Sequence, residues 1–421
     1  MTEQANALPK RQKWAAILEN KSFMYLLAAR VITRFGDSID SIAYSWMVYL
    51  LTGSKLMMGT LFALNFVPNL ALSFFSGALV DRWSKRQVII ITHVGRGLIV
   101  ILTATLYATS LLKPWHLYIL TLLTSTLECF ASPAEISLVP RLLAKEKLLI
   151  GNSLSTSITR IAELAGLAAA GGIIAIAGVS GAMLVDGATF FSAALLVGFI
   201  SLSEKSKESA GTEKSNRSSL LQEVREGITF ILRQKTILTI VIIAAFSNFC
   251  LSPFNVLGPA FIAEVLGEGP AGLSMMGISL VGGMAISGLW LARKGSAFRK
   301  SVLMLTGYTL LGVNYALLYL PGFLPVLSIA AASLFSFGMG AAVSLISTPA
   351  TTYFMENVPQ EMLGRVGAIH SMICTCAIPL GSLLAGALGD AIRTDIIYLG
   401  FGILLIIPVL LLPRYRSFMS I

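Results

Sequence analysis

Residues 22–50 read SFMYLLAARVITRFGDSIDSIAYSWMVYL, a run long enough to cross a membrane as one helix. Four charged side chains interrupt it, namely Arg30, Arg34, Asp37 and Asp40. A charge at the centre of a spanning helix costs roughly 2.5–3.5 kcal/mol if it faces lipid. Because Arg30, Arg34 and Asp37 follow one another at helical spacing, they share one stripe of the helix. The run therefore predicts a spanning helix whose polar stripe faces other protein or a water-filled cavity, which indicates a functional site.

The composition of the whole chain agrees with this interpretation. Of its 421 residues 55% are hydrophobic and only 12% are charged, whereas a soluble domain has about 25% charged residues. Long continuous apolar runs favour an all-α integral membrane protein over a barrel. The four cysteines form no CxxC pair and the three histidines lie far apart, so we expect no metal site and no cofactor.

Twelve apolar runs are candidate spanning helices, and they cover residues 22–50, 56–80, 87–111, 115–139, 149–177, 180–202, 236–266, 271–293, 300–320, 323–350, 364–390 and 395–413. The longest polar gap divides them into two groups of six. We therefore predict an N-terminal segment over 1–21, a six-helix bundle over 22–202, a linker over 203–235 and a second six-helix bundle over 236–421. The end of the linker is amphipathic and predicts a helix on the membrane surface.

The distribution of basic residues predicts the orientation. With twelve spans both termini lie on one side, and nearly all lysines and arginines outside the spans fall on that side. Lys55, Lys113 and Arg393 are the exceptions. By the positive-inside rule both termini are cytoplasmic, in a multi-pass protein of the cytoplasmic membrane. The net charge of +10 follows from this topology, so we expect no nucleic-acid partner. The first twenty residues are polar and basic, so we also expect no cleavable signal peptide.

The two halves resemble each other. Residues 131–143, ASPAEISLVPRLL, end the fourth run, and residues 347–359, STPATTYFMENVP, end the tenth. Each carries a proline–alanine step and then a short charged turn into the next run. This pattern predicts two pseudo-symmetric six-helix bundles, as in transporters that place a site between parallel repeats.

Residues 77–86, GALVDRWSKR, resemble the loop-2/3 signature of the major facilitator superfamily. Serine at position 84 departs from the family pattern, which has glycine there, and Ala292 replaces the acid in the second half. The resemblance implies that the loop latches the two halves in one state of an alternating cycle. The implied latch residues are Gly77, Asp81, Arg82, Lys85 and Arg86, with Arg96 as a brace for the loop.

Several further segments resemble the macrolide-efflux and enterobactin-exporter branch of that family, among them residues 34–54, the SPAEISLVPRLL turn and residues 223–234, EVREGITFILRQ. The resemblance implies proton-driven export of amphiphilic drug or macrolide-like compounds. Its expected partners are the bilayer, the substrate and protons, and the expected state is a monomer. Residues 166–172, GLAAAGG, lack the proline of the antiporter pattern in the fifth run, which weakens the antiporter assignment.

Charged residues in the fourth and fifth runs are candidates for the same site as the first run. Glu128 and Glu135 are seven residues apart and lie on one helical face, and Arg160 and Glu163 belong to a polar stripe of the fifth run. A proton-driven exporter needs carboxylates that take up and release protons as their exposure to water changes. The resemblance implies that these acids converge in the N-terminal half, and that the second half gives the substrate an apolar and aromatic surface. The candidate polar and aromatic residues of runs seven and ten are Asn248, Asn255, Glu264, Ser333, Phe335, Ser336, Phe337, Ser344 and Thr348.

Several alternatives stay open at this point. Arg34–Asp37 is equally consistent with a permanent structural pair, and a structural pair is the preferred interpretation of Arg160–Glu163. Asp186 is interpreted as a boundary residue of the sixth run. A siderophore or other secondary-metabolite exporter is the second hypothesis for function, and a membrane-embedded sensor or an uncoupled facilitator is the third. No nucleophile–base arrangement or phosphate loop appears in the sequence, so we do not expect an enzyme.

Overall fold

The computed structural model describes residues 17, 19–201, 217–324, 326–412 and 416–419. Helices dominate these residues, which contain no β-strand. In chain order the α-helices are α1 (Lys21–Thr52), α2 (Lys55–Leu64), α3 (Val67–Arg82), α4 (Lys85–Ala108), α5 (Pro114–Leu142), α6 (Lys145–Gly198), α7 (Arg217–Arg233), α8 (Lys235–Ala260), α9 (Pro270–Lys294), α10 (Lys300–Leu317), α11 (Ser328–Asn357), α12 (Gln360–Ala391), α13 (Thr394–Leu411) and α14 (Arg416–Met419). A π-helical turn, Phe261–Val265, extends α8, and short 3₁₀ turns occupy Gly295–Ala297 and Leu320–Phe323.

The predicted all-α membrane fold with twelve spans is confirmed by these helices. Ten helical stretches of the described chain are long and apolar enough to cross a membrane. The first helix is not one of the ten because its charged stripe lowers its hydropathy. The stretch Lys147–Gly198 supplies two spans, since Gly178 interrupts it with a φ of +71°, a backbone conformation that favours glycine. The gap at 177–180 between the predicted fifth and sixth spans falls on this glycine.

Local sequence explains where several helices begin. Ser54 accepts a hydrogen bond from the Met57 backbone N–H at the start of α2, as an N-cap residue does. Pro114 and Pro270 stand at the first turns of α5 and α9, where the missing N–H of proline costs nothing.

The predicted cytoplasmic orientation of both termini stays a prediction, supported by the distribution of lysine and arginine.

The chain forms two compact units. Unit 1 covers the described residues of Met1–Tyr44 and Ala71–Thr212, and unit 2 covers those of Ser45–Leu70 and Glu213–Ile421. They differ from the predicted bundles in one segment, because residues 45–70, which include α2, group with the C-terminal helices. Within unit 2, α12 packs against both α2 and α8.

Each unit has its own apolar core. In unit 1, the buried side chains of Phe23, Leu26, Ile89, Leu138 and Val197 bring α1, α4, α5 and α6 together. In unit 2, α11 packs against α9 and α10, while α10 packs against α13. Each of these helices is thereby held in place along its length, so side chains on facing stripes have fixed neighbours.

The amphipathic helix predicted at the end of the linker is present as α7. Its C-terminal half packs on α12, where Ile231 is buried in a cluster with Val366 and Ile369. Arg365 of α12 donates to Glu226 of α7 at 2.9 Å. This half of α7 therefore rests on unit 2, and its predicted location at the membrane surface stays a prediction. The side chains of residues 217–224 lie outside the described part of the structure.

Candidate transport site: an acid–arginine network in unit 1

The charged stripe of α1 meets charged residues of α4, α5 and α6 within unit 1. Helical spacing places Arg30, Arg34 and Asp37 on successive turns, so each faces a different level of the neighbouring helices. Near the outer end of the stripe, the Tyr44 hydroxyl shares a 2.6 Å hydrogen bond with Thr121 of α5. The predicted convergence of the first, fourth and fifth spans is thus what the contacts show, and the third and sixth spans join it.

The level at the Arg30 end of the stripe centres on Glu135 of α5. Arg30 Nε donates to Glu135 Oε2 at 3.0 Å, and the guanidinium also reaches Ser155 of α6 at 3.5 Å. His93 of α4 is buried, and its Nε2 lies 3.8 Å from the other oxygen of Glu135. Sequence reasoning gave His93 no role, since no partner stands near it along the chain. The structure places this imidazole against a carboxylate that is already paired with an arginine.

The middle level contains two arginines and one acid. Arg34 Nη2 lies 2.6 Å from Glu163 Oε1, and Arg160 Nη1 lies 2.7 Å from Glu163 Oε2. Both oxygens of Glu163 are therefore paired, and Glu163 bridges α1 to its own helix. The structural pair Arg160–Glu163 is present, whereas Arg34 pairs with Glu163 and leaves Asp37 to another partner.

The level at Asp37 is built around Arg96 of α4. Arg96 Nη2 donates to Asp37 Oδ1 at 3.0 Å, and its guanidinium carbon lies 4.4 Å from the centre of the Phe190 ring. A cation over an aromatic face gains electrostatic stabilisation, more when it is removed from water. Arg96 was predicted to brace the loop after α3. In the structure Arg96 is the cation that pairs with Asp37 of the α1 stripe.

Three further carboxylates surround Arg96. Asp40, Glu128 and Asp186 all lie within its electrostatic range. One oxygen of Asp40, Oδ1, is buried and has no hydrogen-bond partner in the described part of the chain. A single guanidinium cannot form close pairs with all of these acids, so the level holds more acids than cations.

Asp186 enters this level because the helices approach closely. It is only 1% exposed. The Thr189 hydroxyl donates to the Asp186 backbone oxygen at 2.7 Å and lies 3.2 Å from its carboxylate. A Cβ atom added at Gly36 of α1 would lie 2.3 Å from Asp186 Oδ1, so glycine is needed there. Asp186 is therefore an internal residue of unit 1, and its interpretation as a boundary residue does not fit its burial.

Together these levels form one set of side chains, which we call the acid–arginine network. It comprises Arg30, Arg34, Asp37, Asp40, Arg96, Glu128, Glu135, Arg160, Glu163 and Asp186. Six of the members are acids and four are arginines. An excess of acids inside a membrane domain is expensive unless protons or another cation offset it. The network therefore has the composition of a site that binds and releases positive charge.

The predicted latch residues are divided between described and undescribed side chains. Those of Gly77 and Asp81 lie outside the described part of the structure. Arg82 is exposed, while Lys85 is buried and its Nζ donates to the backbone oxygen of Val80 at 2.5 Å. A cation at a helix C-terminus satisfies a free carbonyl and interacts favourably with the helix dipole. Arg86 donates to the backbone oxygen of Gly198, so two of the basic residues fix helix ends within unit 1.

A separate polar cluster joins α2 to α8 and α12 within unit 2. Lys55 Nζ lies 2.6 Å from Glu264 Oε2, and the Lys55 backbone N–H donates to Asp390 Oδ1 at 2.9 Å. Below them, a Cβ atom added at Gly59 would lie 2.4 Å from the backbone oxygen of Ser382. Sequence reasoning placed Glu264 only near the outer end of its span, and the pairing with Lys55 could not be read from spacing.

The polar residues predicted for the C-terminal half mostly satisfy backbone groups. Ser336 donates to its own helix, and Ser344 donates to the Met284 backbone oxygen at 2.8 Å, which joins α11 to α9. Asn255 is exposed and bonds within α8. Ser333 Oγ is buried without a hydrogen-bond partner among the described residues. These helices contribute few charges of their own, as the sequence indicated.

Comparison with known proteins gives the family. The model of the Major Facilitator Superfamily matches residues 26–382 of the chain, which is most of its length. The chain belongs to the major facilitator superfamily. Its members are transporters and not enzymes, so this chain is a multi-pass membrane transporter.

Curated relatives cover nearly the whole transporter. Macrolide efflux protein A of Streptococcus pyogenes is 23% identical over 400 residues, covering 94% of this chain and 96% of the relative. The multidrug efflux pump Tap of Mycolicibacterium fortuitum is 24% identical over 413 residues, with the same two coverages. The resemblance to efflux members of the family is thereby confirmed at the level of distant relatives.

Solved structures share the fold at lower identity. The nucleoside transporter NupG has a TM-score of 0.72 and 13% identity, covering 94% of this chain and 100% of that one. A bacterial homologue of the iron transporter ferroportin has a TM-score of 0.70 and 16% identity, covering 95% of this chain and 98% of that one. At such identities the match shows the fold and nothing about the substrate.

Proposed function

We propose that this transporter exports amphiphilic small molecules, of the drug or macrolide class, in exchange for protons. The observation that carries the proposal is the acid–arginine network, in which six carboxylates share four arginines within unit 1. Charged groups inside membrane domains characterise ion and proton pathways. The efflux functions of the relatives named above support the substrate class.

Protons are the cation that suits this network best. Its acids lie on three helices, α1, α5 and α6, and guanidinium groups already bridge several of them. No group of three potential metal ligands occurs among the described residues. A proton on one acid releases its arginine partner to another acid, so protonation changes which helices are cross-linked. Moving one charge through a membrane potential of 100 mV supplies about 2.3 kcal/mol, enough for one or two protons to drive export.

Two acids occupy different positions in the network and test the proposal separately. Asp37 is paired with Arg96, while Glu128 is exposed and lies within electrostatic range of both. Asp37→Asn weakens the ion pair with Arg96. Glu128→Gln removes a negative charge near that pair and leaves the pair itself in place. If protons pass through this network, each change lowers exchange.

The experiment measures macrolide flux in liposomes that contain the full chain, after an imposed pH gradient. The unaltered transporter loses gradient-driven flux when a protonophore is added, and we expect Asp37→Asn and Glu128→Gln to lower that flux about tenfold or more. Glu361→Gln is the matched control, because Glu361 is exposed at the start of α12 and belongs to unit 2. Unchanged gradient-driven flux in both network variants would overturn the proposal. Flux that ignores the pH gradient in the unaltered protein would identify an uncoupled facilitator.

A further inference from the structure

An apolar groove of about 460 Å³ lies in unit 2 between α9 and α10, with α11 at its base. This volume is within the range of ligand pockets, about 300–1,000 Å³. The groove is lined by Ser287, Trp290, Phe298, Val302, Leu303, Thr306 and Leu345. None of these side chains is charged, and neither the acid–arginine network nor the predicted latch includes any of them. The groove is therefore a separate feature of the molecule.

Two aromatic rings form one end of the groove. The Trp290 and Phe298 rings are 5.7 Å apart between centroids, and 40% and 47% of these residues is exposed. Tryptophan and tyrosine are enriched at the boundary between hydrocarbon and headgroups, and Trp290 is of this type. The 3₁₀ turn Gly295–Ala297 connects the two helices at the same end. The exposed Trp290 and the turn between the helix ends therefore favour a location of this end of the groove near that boundary.

Three exposed cations stand beside the aromatic end. Arg293 and Lys294 follow Trp290 by three and four positions on α9, so they lie on the same side of the helix. Arg299 follows Phe298 directly and precedes the first turn of α10. All three are exposed, and none of them forms a salt bridge with a described residue. Lys300, by contrast, is paired with Glu356 of α11.

We propose that this groove binds one acyl chain of an anionic phospholipid, whose headgroup phosphate is held by Arg293, Lys294 and Arg299. The apolar lining fits a hydrocarbon chain, and the unpaired cations complement a negative headgroup. Basic pockets between helices at the cytoplasmic face are known to take anionic lipids. The lysine and arginine distribution predicts that this end of α9 is cytoplasmic, where the headgroup charge of the inner leaflet lies.

The arginines give the site selectivity as well as charge. A guanidinium can donate two parallel hydrogen bonds to a phosphate, and a net negative headgroup adds the attraction of the other cations. A zwitterionic headgroup keeps the apolar contacts but gains less from the cations. The site is therefore expected to prefer phosphatidylglycerol over phosphatidylcholine with identical chains.

The test compares the binding of these two lipids to the purified full chain in a non-ionic detergent, by native mass spectrometry. We expect phosphatidylglycerol to bind more tightly, by about fivefold for each cation that contacts the headgroup. Replacing Arg293, Lys294 and Arg299 together by glutamine removes this preference. The matched control replaces Arg225, Arg233 and Lys235 by glutamine, which removes three exposed cations of α7 and α8 and keeps the preference.

A second variant separates the groove from its charges. Thr306 is exposed and lines the groove, so Thr306→Phe fills it while leaving all three cations in place. We expect this variant to lose bound phosphatidylglycerol, whereas binding of inorganic phosphate alone is weak in every form. The proposal is overturned if the triple glutamine variant keeps its lipid preference. It is equally overturned if the control triple loses the preference, or if Thr306→Phe retains the lipid.

Discussion

The crossing of α4 with the second segment of α6 in unit 1 has a counterpart in the crossing of α10 with α13 in unit 2. A Cβ atom added at Gly97 would lie 3.3 Å from the Gly187 backbone oxygen, and one added at Gly312 would lie 2.8 Å from the Gly402 backbone oxygen. The same offset along the chain separates Gly97 from Gly312 and Gly187 from Gly402. The two crossings are therefore equivalent positions of the two repeats.

The side chains beside these glycines differ in chemistry. Arg96 and Asp186 stand at the crossing in unit 1, and the positions at the same offset in unit 2 are Leu311 and Phe401, both buried. The rings of Tyr315 and Tyr398, with centroids 5.3 Å apart, fill the rest of the second crossing.

The second crossing shows that this helix packing forms with apolar and aromatic side chains alone. Buried ion pairs are often replaceable by apolar residues without loss of stability. The charges of unit 1 are therefore not a requirement of the repeat, and their presence in one copy favours a role in transport.

The strongest test of this difference replaces Arg96 with leucine, the residue of the second crossing. Arg96→Leu leaves Asp37, Asp40 and Asp186 without their shared cation. Removing one partner of a buried pair costs about 3–5 kcal/mol, so we expect a large fall in thermal stability and no gradient-driven flux. The measurements are thermal unfolding in detergent and flux in liposomes.

Two further variants show whether that loss is electrostatic. Arg365→Leu breaks the exposed pair with Glu226 and should cost about 0–1 kcal/mol. Combining Arg96→Leu with Asp37→Asn and Asp186→Asn should recover most of the stability and none of the flux. Recovery of flux in that combination would mean that the charges serve packing alone.

Asp186→Asn has the next largest expected effect. The amide keeps an oxygen that can accept from Thr189, so we expect only a small change in thermal stability. It cannot bind or release a proton at neutral pH, so the dependence of flux on the pH gradient should fall about tenfold or more. Asp395→Asn is the control, since Asp395 is equally buried but is bonded to Arg393 within unit 2. Equal losses of coupling in both variants would remove Asp186 from the proton pathway.

The sequence predicted those features that depend on local spacing. The charged stripe of α1 and the helix break near Gly178 both follow from patterns within one segment. The family resemblance also follows from short motifs, such as residues 77–86. Each of these can be read because neighbours along a helix have a fixed geometry.

Partners on different helices could not be predicted in this way. Spacing gives the face on which Arg34 lies but not which helix that face meets, so its pairing with Glu163 was missed. Asp186 was assigned to a boundary because it stands early in its run, whereas Gly36 of α1 gives it room inside. A glycine next to the charged stripe, one helical turn before Asp40, is the sequence signal that could have indicated this close approach.

The smallest expected effects on flux come from the glycines of the two crossings, and the two glycines differ in kind. An alanine at position 312 would place its Cβ 2.8 Å from a backbone oxygen and 2.6 Å from Ile406 Cγ1. Backbone cannot move aside cheaply, so Gly312→Ala should destabilise the protein by about 1–3 kcal/mol. At position 97 the contacts are looser, with Phe191 Cε2 at 3.0 Å, Phe190 Cβ at 3.2 Å and the Gly187 backbone oxygen at 3.3 Å.

The Phe191 ring can turn aside, and Phe190 with its backbone has to give by only a few tenths of an ångström. Alanine favours a helix by about 0.5–1 kcal/mol over glycine, so Gly97→Ala should leave the stability nearly unchanged. Moving Phe190 shifts the ring beneath Arg96, however, and should lower gradient-driven flux. If unit 1 carries the transport chemistry and unit 2 only packs, Gly97→Ala lowers the flux and Gly312→Ala lowers the stability. Thermal unfolding and flux are measured on both variants to check this. A larger loss of flux in Gly312→Ala than in Gly97→Ala, at equal amounts of folded protein, would contradict that division.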